Sequence, residues 1–318
     1  MFDGMERLTD LPRGDLDRRR FLKLLAAAGF VSSPLVRRVF AALPEATAAK
    51  AADFDLLVVS GKNYPRLVRE ALSRLGFPGR FLKPGMKVVI KPNAAWSRTP
   101  EQAATTHPSL VAEAVKACRE AGAKSVEVVE NPCDNYRSCF RVSGIQEAAE
   151  KAGAEMIPLS ETKDFVPVVL PSAKKLKKAE ISRRILEADL LINLPIAKNH
   201  GSAIVTGAMK NHMGAVENRF FFHKTDLDQC IADLCTLLHP QITILDCTRI
   251  LLTRGPKGPG KVKVLDRIVA GTDQVAVDAF ATGYFDLKPS DIGYLVAAQE
   301  MGLGKTDLSA IRIKEIAL

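Results

Sequence analysis

From Phe54 onward, short β-branched runs alternate with amphipathic helical stretches, and this alternation constrains the fold more than any other feature of the chain. A chain whose apolar period switches repeatedly between two and 3.6 builds a mostly parallel sheet covered by helices on both faces. The pattern predicts strands at Phe54 to Ser60, Met86 to Lys91, Ser125 to Glu130, Leu190 to Leu194, Gln241 to Asp246 and Val264 to Ala270. Helices are expected between them at Tyr64 to Leu75, Pro108 to Ala121, Ile145 to Ala152, Asp226 to Leu238 and Asp273 to Tyr284. The stretch from Gly153 to Arg184 is less regular. It holds the apolar run Phe165 to Leu170 and the cluster Lys174-Lys175-Leu176-Lys177-Lys178, and reads as an irregular edge insertion with its lysines on a solvated face. No internal repeat or low-complexity linker intervenes, so residues 51–318 read as a single α/β domain, large enough to need no covalent staples.

In open α/β sheets ligands bind outside the carboxyl ends of the strands. Here those positions are polar: Lys91-Pro92-Asn93, Glu130-Asn131-Pro132-Cys133, Lys198-Asn199-His200-Gly201 after Pro195, Asp246-Cys247, and Gly271-Thr272-Asp273. Each alone is an ordinary turn or helix cap; a parallel sheet places all of them along one rim. The densest stretch, residues 198 to 223, contains Lys198, His200, Lys210, Asn211, His212 and His223. If Ala203 to Gly214 is helical, Gly207, Lys210, Asn211 and Gly214 share one side. The competing reading is a tight glycine crossing with both lysines free in solvent.

Charge favours an anionic ligand. Lys plus Arg number 45 against 36 Asp plus Glu, and beyond residue 50 the balance is 36 to 30. With 6% aromatic residues, one Trp and no concentrated basic stripe, a nucleic-acid partner is set aside. An anionic small molecule or cofactor is the expected partner, with Lys91, Lys198 and Lys210 supplying charge and Asn93 and Asn211 orienting it. His200 or His223 is expected to transfer protons near neutral pH, with Asp246 orienting a histidine or holding a metal.

The cysteines divide by position. Cys118 and Cys235 fall on apolar helix faces and read as core, while Cys230 sits at the border of such a face. Cys133, Cys139 and Cys247 fall on or beside the rim, where they are candidate ligands for a metal ion or iron–sulfur cluster together with His200 or His223. The spacing of Cys133 and Cys139 suits a loop disulfide or free thiols as readily. No Ser-His-Asp order, Walker lysine loop or dinucleotide fingerprint is present. Gly255-Pro256-Lys257-Gly258-Pro259-Gly260 is glycine-rich, but its prolines remove amides that a phosphate would need, so it reads as a mobile lid or turn.

The segments Leu191-Ile192-Asn193-Leu194-Pro195, Lys198-Asn199-His200 and Thr206-Gly207-Ala208-Met209-Lys210-Asn211-His212-Met213-Gly214 resemble those of the domain-of-unknown-function 362 family. Lys91-Pro92-Asn93, Thr105-Thr106-His107-Pro108, Gly122-Ala123, Asp246, Gly255-Pro256 and Asp273 to Asp278 extend the resemblance over most of residues 54 to 305. It implies redox company, since some relatives carry iron–sulfur ferredoxin modules; this chain lacks the closely spaced Cys-x-x-Cys series of such a module. Two functions stay open: an anion-binding enzyme of redox metabolism, or a non-enzymatic iron–sulfur or metal protein in electron transfer or cofactor delivery.

Residues 1–50 read as a leader and linker. Arg18-Arg19-Arg20-Phe21-Leu22-Lys23 before the Ala-rich run Leu24 to Val31 resembles a twin-arginine export signal. The implied partner is the twin-arginine translocation machinery, and the implied location is periplasmic or extracytoplasmic. Arg37-Arg38 after the apolar run leaves an uncleaved N-terminal membrane anchor open, and an amphipathic helix with a chance Arg triplet is the alternative. Replacing Arg18 and Arg19 together by Lys should retain the protein in the cytoplasm with its circular dichroism unchanged; export of this variant at the normal level would refute the signal.

Overall fold

In the computed structural model, which describes residues 53–318, Leu57 and Val59 of the first strand, β1 (Leu56–Ser60), enter one apolar layer while Leu56 and Val58 enter another. This period-two division repeats across the sheet. In β2 (Lys87–Pro92), Val88 and Ile90 pack on one face and Val89 on the other. In β7 (Leu190–Leu194), Leu190, Ile192 and Leu194 oppose Leu191 in the same way. A sheet apolar on both faces must be covered twice. The first face is covered by α1 (Tyr64–Leu75), α2 (Pro108–Glu120), α3 (Tyr136–Val142) and α4 (Ile145–Lys151).

Between these helices lies β3 (Ser125–Glu130), and after them β4 (Glu155–Pro158), β5 (Phe165–Val169), β6 (Lys178–Ser182) and the short α5 (Arg183–Leu186) precede β7. The chain continues through β8 (Ile196–His200), β9 (Ile204–Thr206), α6 (Ala208–Asn211), α7 (Phe220–Thr225) and α8 (Leu227–Cys235). It ends with β10 (Ile242–Leu251), β11 (Val262–Gly271), α9 (Gln274–Ala281), α10 (Gly293–Glu300) and β12 (Ile313–Ala317). Ile231 and Leu234 of α8, with Leu295 and Ala298 of α10, cover the second face.

The main sheet runs in the order β12-β1-β11-β10-β7-β2-β3-β4, with β8 paired to β10 and β9. From β10 through β7, β2 and β3 to β4 every pairing is parallel; β11 lies antiparallel between β1 and β10. The expected α/β fold, a mostly parallel sheet flanked by helices, is the one observed. Its consequence for function is that β2, β3, β7 and β10 end on one rim.

Local signals set the boundaries. Asn63 caps α1 by accepting the Arg66 N–H, and Gly76 ends it in the left-handed conformation, φ 88°. The expected helix Asp273 to Tyr284 begins on an Asp273 cap but changes to a 3₁₀ turn over Thr282–Phe285. β10 and β11 run past their expected ends as a bulged antiparallel pair. The expected leader, residues 1–50, lies outside the described residues. Among those described, no helix is long and apolar enough to cross a membrane.

The Gly153 to Arg184 stretch is more ordered than its sequence suggests. β4 extends the sheet edge, and β5 and β6 form a separate two-stranded sheet. The lysine cluster turns on a buried acceptor: Asp233 of α8 takes the N–H groups of Lys174, Lys175 and Leu176 at 2.8, 2.6 and 2.8 Å. Asp233→Ala leaves three amides without their acceptor and should cost about 2–4 kcal/mol in urea unfolding. Lys174→Ala, which loses only an exposed pair with Glu300, should cost less than about 1 kcal/mol; equal effects would overturn this account.

Candidate functional site

The parallel register of β2 and β3 brings Lys91 and Glu130 to adjacent strand ends. Lys91 Nζ lies 2.9 Å from Glu130 Oε2, with both side chains buried. A buried pair is tolerable only when its remaining donors and acceptors are satisfied. Lys91 Nζ also donates to Pro92 O at 2.7 Å and meets Asn211 Oδ1 at 3.4 Å. Glu130 accepts the Ala94 N–H on Oε2 at 2.9 Å and the Asn131 N–H on Oε1 at 3.1 Å. Gly214 lies against the pair so closely that a Cβ there would collide with Glu130 Oε1 and Lys91 Nζ.

The network extends sideways through amides. Asn211 Nδ2 points to Lys91 O, Pro92 O and Asn193 Oδ1 at 3.1, 3.2 and 2.8 Å. Its Oδ1 accepts Asn93 Nδ2 at 3.0 Å, and Asn93 Oδ1 accepts Lys198 Nζ at 2.9 Å. Lys198 also donates to Ala104 O. A continuous polar chain thus runs from Glu130 through Lys91, Asn211 and Asn93 to Lys198. This corrects the roles expected of Lys91 and Asn211: both are consumed by contacts within the protein, and Asn93 positions Lys198.

Above this floor several basic side chains converge. Lys198 and His200 lie on β8, Lys210 on α6, Arg219 just before α7 and His223 within it. Lys210 is 8% exposed, and the contact its Nζ makes is the Met213 thioether at 3.3 Å. Burial pulls Lys198 down to about 7 and Lys210 to about 8, with neighbouring charges acting in both directions. The Lys210 charge in turn acts on Lys198, His200 and His223. Neither amine forms an ion pair with a carboxylate among the described residues.

His200 and His223 stack with ring centroids 6.5 Å apart. His200 Nδ1 accepts the N–H groups of Ser202 and Ala203, each at 3.1 Å, so the ring proton sits on Nε2. Burial, with Lys210, Lys198 and His223 beyond it, lowers His200 to about 3. A value lowered this far leaves the ring a neutral donor at pH 7, in place of the near-neutral proton transfer expected of it. His223, which is exposed, is lowered by burial first and then by Lys210 and Arg219.

Other expectations fail for identifiable reasons. Asp246 and Cys247 are adjacent in a strand and face opposite layers. Asp246 Oδ2 binds Arg249 at 2.9 Å and the His107 N–H at 2.8 Å, and Oδ1 accepts from Thr248; it orients no ring. Cys247 packs with Leu245 and Val269, and Cys139 packs in the layer on the other face of the sheet. Burial raises Cys139 to about 11 and Cys247 well above the ordinary thiol value. Cys133, Cys139 and Cys247 thus do not form one ligand set, and the described residues hold no group of three His, Cys, Asp or Glu side chains suited to a metal. All six cysteines are unpaired.

The segment from Ala203 to Gly214 is not one helix. β9, the four-residue α6 and the 3₁₀ turn His212–Ala215 divide it. Gly207 gives room to Asp278, whose carboxylate takes the Ala208 and Met209 N–H groups. The 255–260 turn is pinned: the Gly255 N–H donates to Asn199 Oδ1, Lys257 O accepts Arg98 Nε, and Lys257 Nζ lies 3.5 Å from Asp134. Sequence reasoning missed Glu130, Asn193 and Arg219. Glu130, a carboxylate ending a buried strand beside another strand-end lysine, had a readable signal; Arg219 had none.

With this geometry in place, comparison with known proteins gives four matches. The family model described as "Domain of unknown function (DUF362)" matches residues 88–283. A thylakoid-associated protein of Synechocystis is 26% identical over 254 residues, 75% of each chain. Among solved structures, the lactate racemase apoprotein of Thermoanaerobacterium thermosaccharolyticum aligns with TM-score 0.44 and 14% identity over 72% of this chain and 56% of its own. A Thermotoga maritima protein aligns with TM-score 0.43 and 9% identity over 74% and 59%. The chain thus spans under two thirds of either solved structure.

The floor makes its own prediction. Lys91→Met leaves the Glu130 carboxylate buried without its counter-charge and should cost about 3–5 kcal/mol in denaturant unfolding. Combining it with Glu130→Gln should recover much of that loss. Additive single and double effects would show that the pair is not the organising contact.

Proposed function

Since the chain belongs to the DUF362 family, a domain of unknown function, we propose for it the binding of a small anionic molecule or cofactor at the Lys198–Lys210 rim, with an acid–base step carried by Lys198. The observation that carries this reading is the burial of both ammonium groups with no carboxylate ion-paired to either among the described residues. Keeping two like charges out of water is costly unless an opposite charge joins them. An anion between them would supply that charge. Neutral His200 would donate from Nε2 to the same ligand, and Arg219 would extend the positive wall.

Lys198, held near 7 by burial, exists at neutral pH as both amine and ammonium. It is therefore suited to take a proton from a bound acid and return it. This role replaces the one first expected of His200. The fit to an iron–sulfur centre is poor because the thiols lie in separate layers, so no electron-transfer step is built on it. Residues 18–23 support delivery of the folded protein by the twin-arginine machinery to the periplasm, where this site would operate.

The pH dependence has a definite sign. Both lysines have folded values below the ordinary 10.5, near 7 and 8. Between about 7 and 10.5 the unfolded chain therefore holds more protons, and stability of the free protein should rise with pH across that window. A bound anion favours the ammonium forms, so binding should tighten as pH falls from about 9 to 6 and should take up protons at pH 8. Calorimetry with inorganic phosphate in buffers of different ionisation enthalpy measures both effects. Lys210→Met should weaken phosphate roughly tenfold and reduce the proton uptake, while leaving stability equal or improved because the buried charge is gone. Phosphate that fails to bind, or binds the variant with unchanged affinity and proton uptake, would overturn the reading.

A further inference from the structure

Cys133 is the one exposed thiol among six cysteines; the other five are buried, and residues 1–52 contain none. The loop after β3 holds it in place, its N–H donating to Ala95 O at 2.9 Å. Arg219 Nη1 lies 3.3 Å from its sulfur. That guanidinium is itself fixed, donating to Asn131 O at 2.6 Å and Pro132 O at 2.7 Å, so a positive charge is held against the sulfur. Lys210 is nine-tenths buried, with its Nζ against the Met213 thioether and in no ion pair with a carboxylate among the described residues. The Cys133 N–H is bonded to Ala95, two residues beyond the Asn93 that holds Lys198 Nζ, which sets the sulfur at the edge of the same basic cluster. A nucleophile and a cradle for negative charge therefore adjoin.

We infer that Cys133 is a modification site for small disulfides bearing a carboxylate, and that the adduct directs its carboxylate to Lys210 and Lys198 and closes the anion site. In the reaction the Cys133 thiolate attacks one sulfur of the incoming disulfide. A new S–S bond forms, the old one breaks, and the departing thiolate leaves with the bonding electron pair. The proton lost by Cys133 passes to solvent or to the departing thiol. The disulfide is the oxidant, Cys133 is oxidised, and one half of the reagent is reduced. A second thiol reverses the step. The inference shares its lysines with the proposed anion site and so rests partly on that reading.

The test uses the full chain and two reagents, the dianionic dithiobis(nitrobenzoate) and the neutral dithiodipyridine. Each rate is divided by the rate of the same reagent on N-acetylcysteine amide. One thiol should react rapidly in native protein and vanish in Cys133→Ser. The normalised rate for the dianion should exceed that for the neutral reagent roughly tenfold at low salt and approach it as salt screens the attraction. Lys210→Met and Arg219→Gln should each shrink this preference, which as a ratio of two rates on the same thiol is independent of the thiolate fraction that both reagents share, and salt dependence in the unaltered protein answers the question if Arg219→Gln does not fold. The nitrobenzoate adduct should no longer bind phosphate, whereas Cys133→Ser should. Equal normalised rates that ignore salt, or a preference unchanged in Lys210→Met, would overturn the inference. A charge preference in a protein that never binds phosphate would instead overturn the proposed function and the closure while leaving the thiol's selectivity standing.

Discussion

The Lys91–Glu130 ion pair joins the sheet to everything built at its rim. Its two partners come from neighbouring parallel strands, so it can form only when β2 and β3 are in register. Its unfilled valences then dictate what packs next. Glu130 takes amides from Ala94 and Asn131, which fixes the loops leaving both strands. Lys91 meets Asn211, which ties α6 to the strand ends. Gly214 has no side chain because the pair occupies that space. An apolar pair of similar volume can pack as well, but it would not anchor Asn211, and through Asn211 and Asn93 the position of Lys198.

The three rim lysines show how one residue type takes opposite roles according to its partners. Lys91 has a carboxylate at 2.9 Å and is a structural cation. Lys198 has neutral oxygens, from Asn93 and Ala104, which hold the amine in place without compensating its charge. Lys210 has a thioether, which does neither. The series runs from an amine paired with a carboxylate, through one held by neutral oxygens, to one without a charged partner. Burial is common to all three, and what differs most between them is the group that meets each amine.

Much of the scaffold was legible because strands with apolar residues on both faces and helices with one apolar face leave distinct periods. The strands ending at Ser60, Lys91, Glu130 and Leu194 were readable on that basis, as was the rim they create. β8 and β9 were not, because their residues are mostly polar or glycine-flanked and their pairing depends on the register of β10. The strand period also held information that a list of rim residues discarded: alternation alone places Asp246 and Cys247 on opposite faces. What spacing could not supply is whether a polar side chain is already spoken for. Lys91, Asn211 and Lys198 look alike as polar residues near strand ends, and only their contacts separate anchors from groups free to meet a ligand.

The acidic residues around the rim explain why the site remains positive. Glu130 is held by Lys91, and Asp246 by Arg249 and three donors from the backbone and Thr248. Asp278 is occupied by the Ala208 and Met209 amides, and burial pushes its carboxyl up to about 7, so it supplies only part of a negative charge at neutral pH. Asp228 acts on Lys210 at a distance, and its own carboxyl is raised by burial and by Asp226. Each carboxylate is thus either committed to another donor or weakened as an anion. The fold contains enough acid to neutralise its buried lysines, yet the hydrogen bonds that close the strand ends and short helices consume it. The positive rim follows from how those backbone groups are satisfied, as much as from the number of lysines the sequence places there.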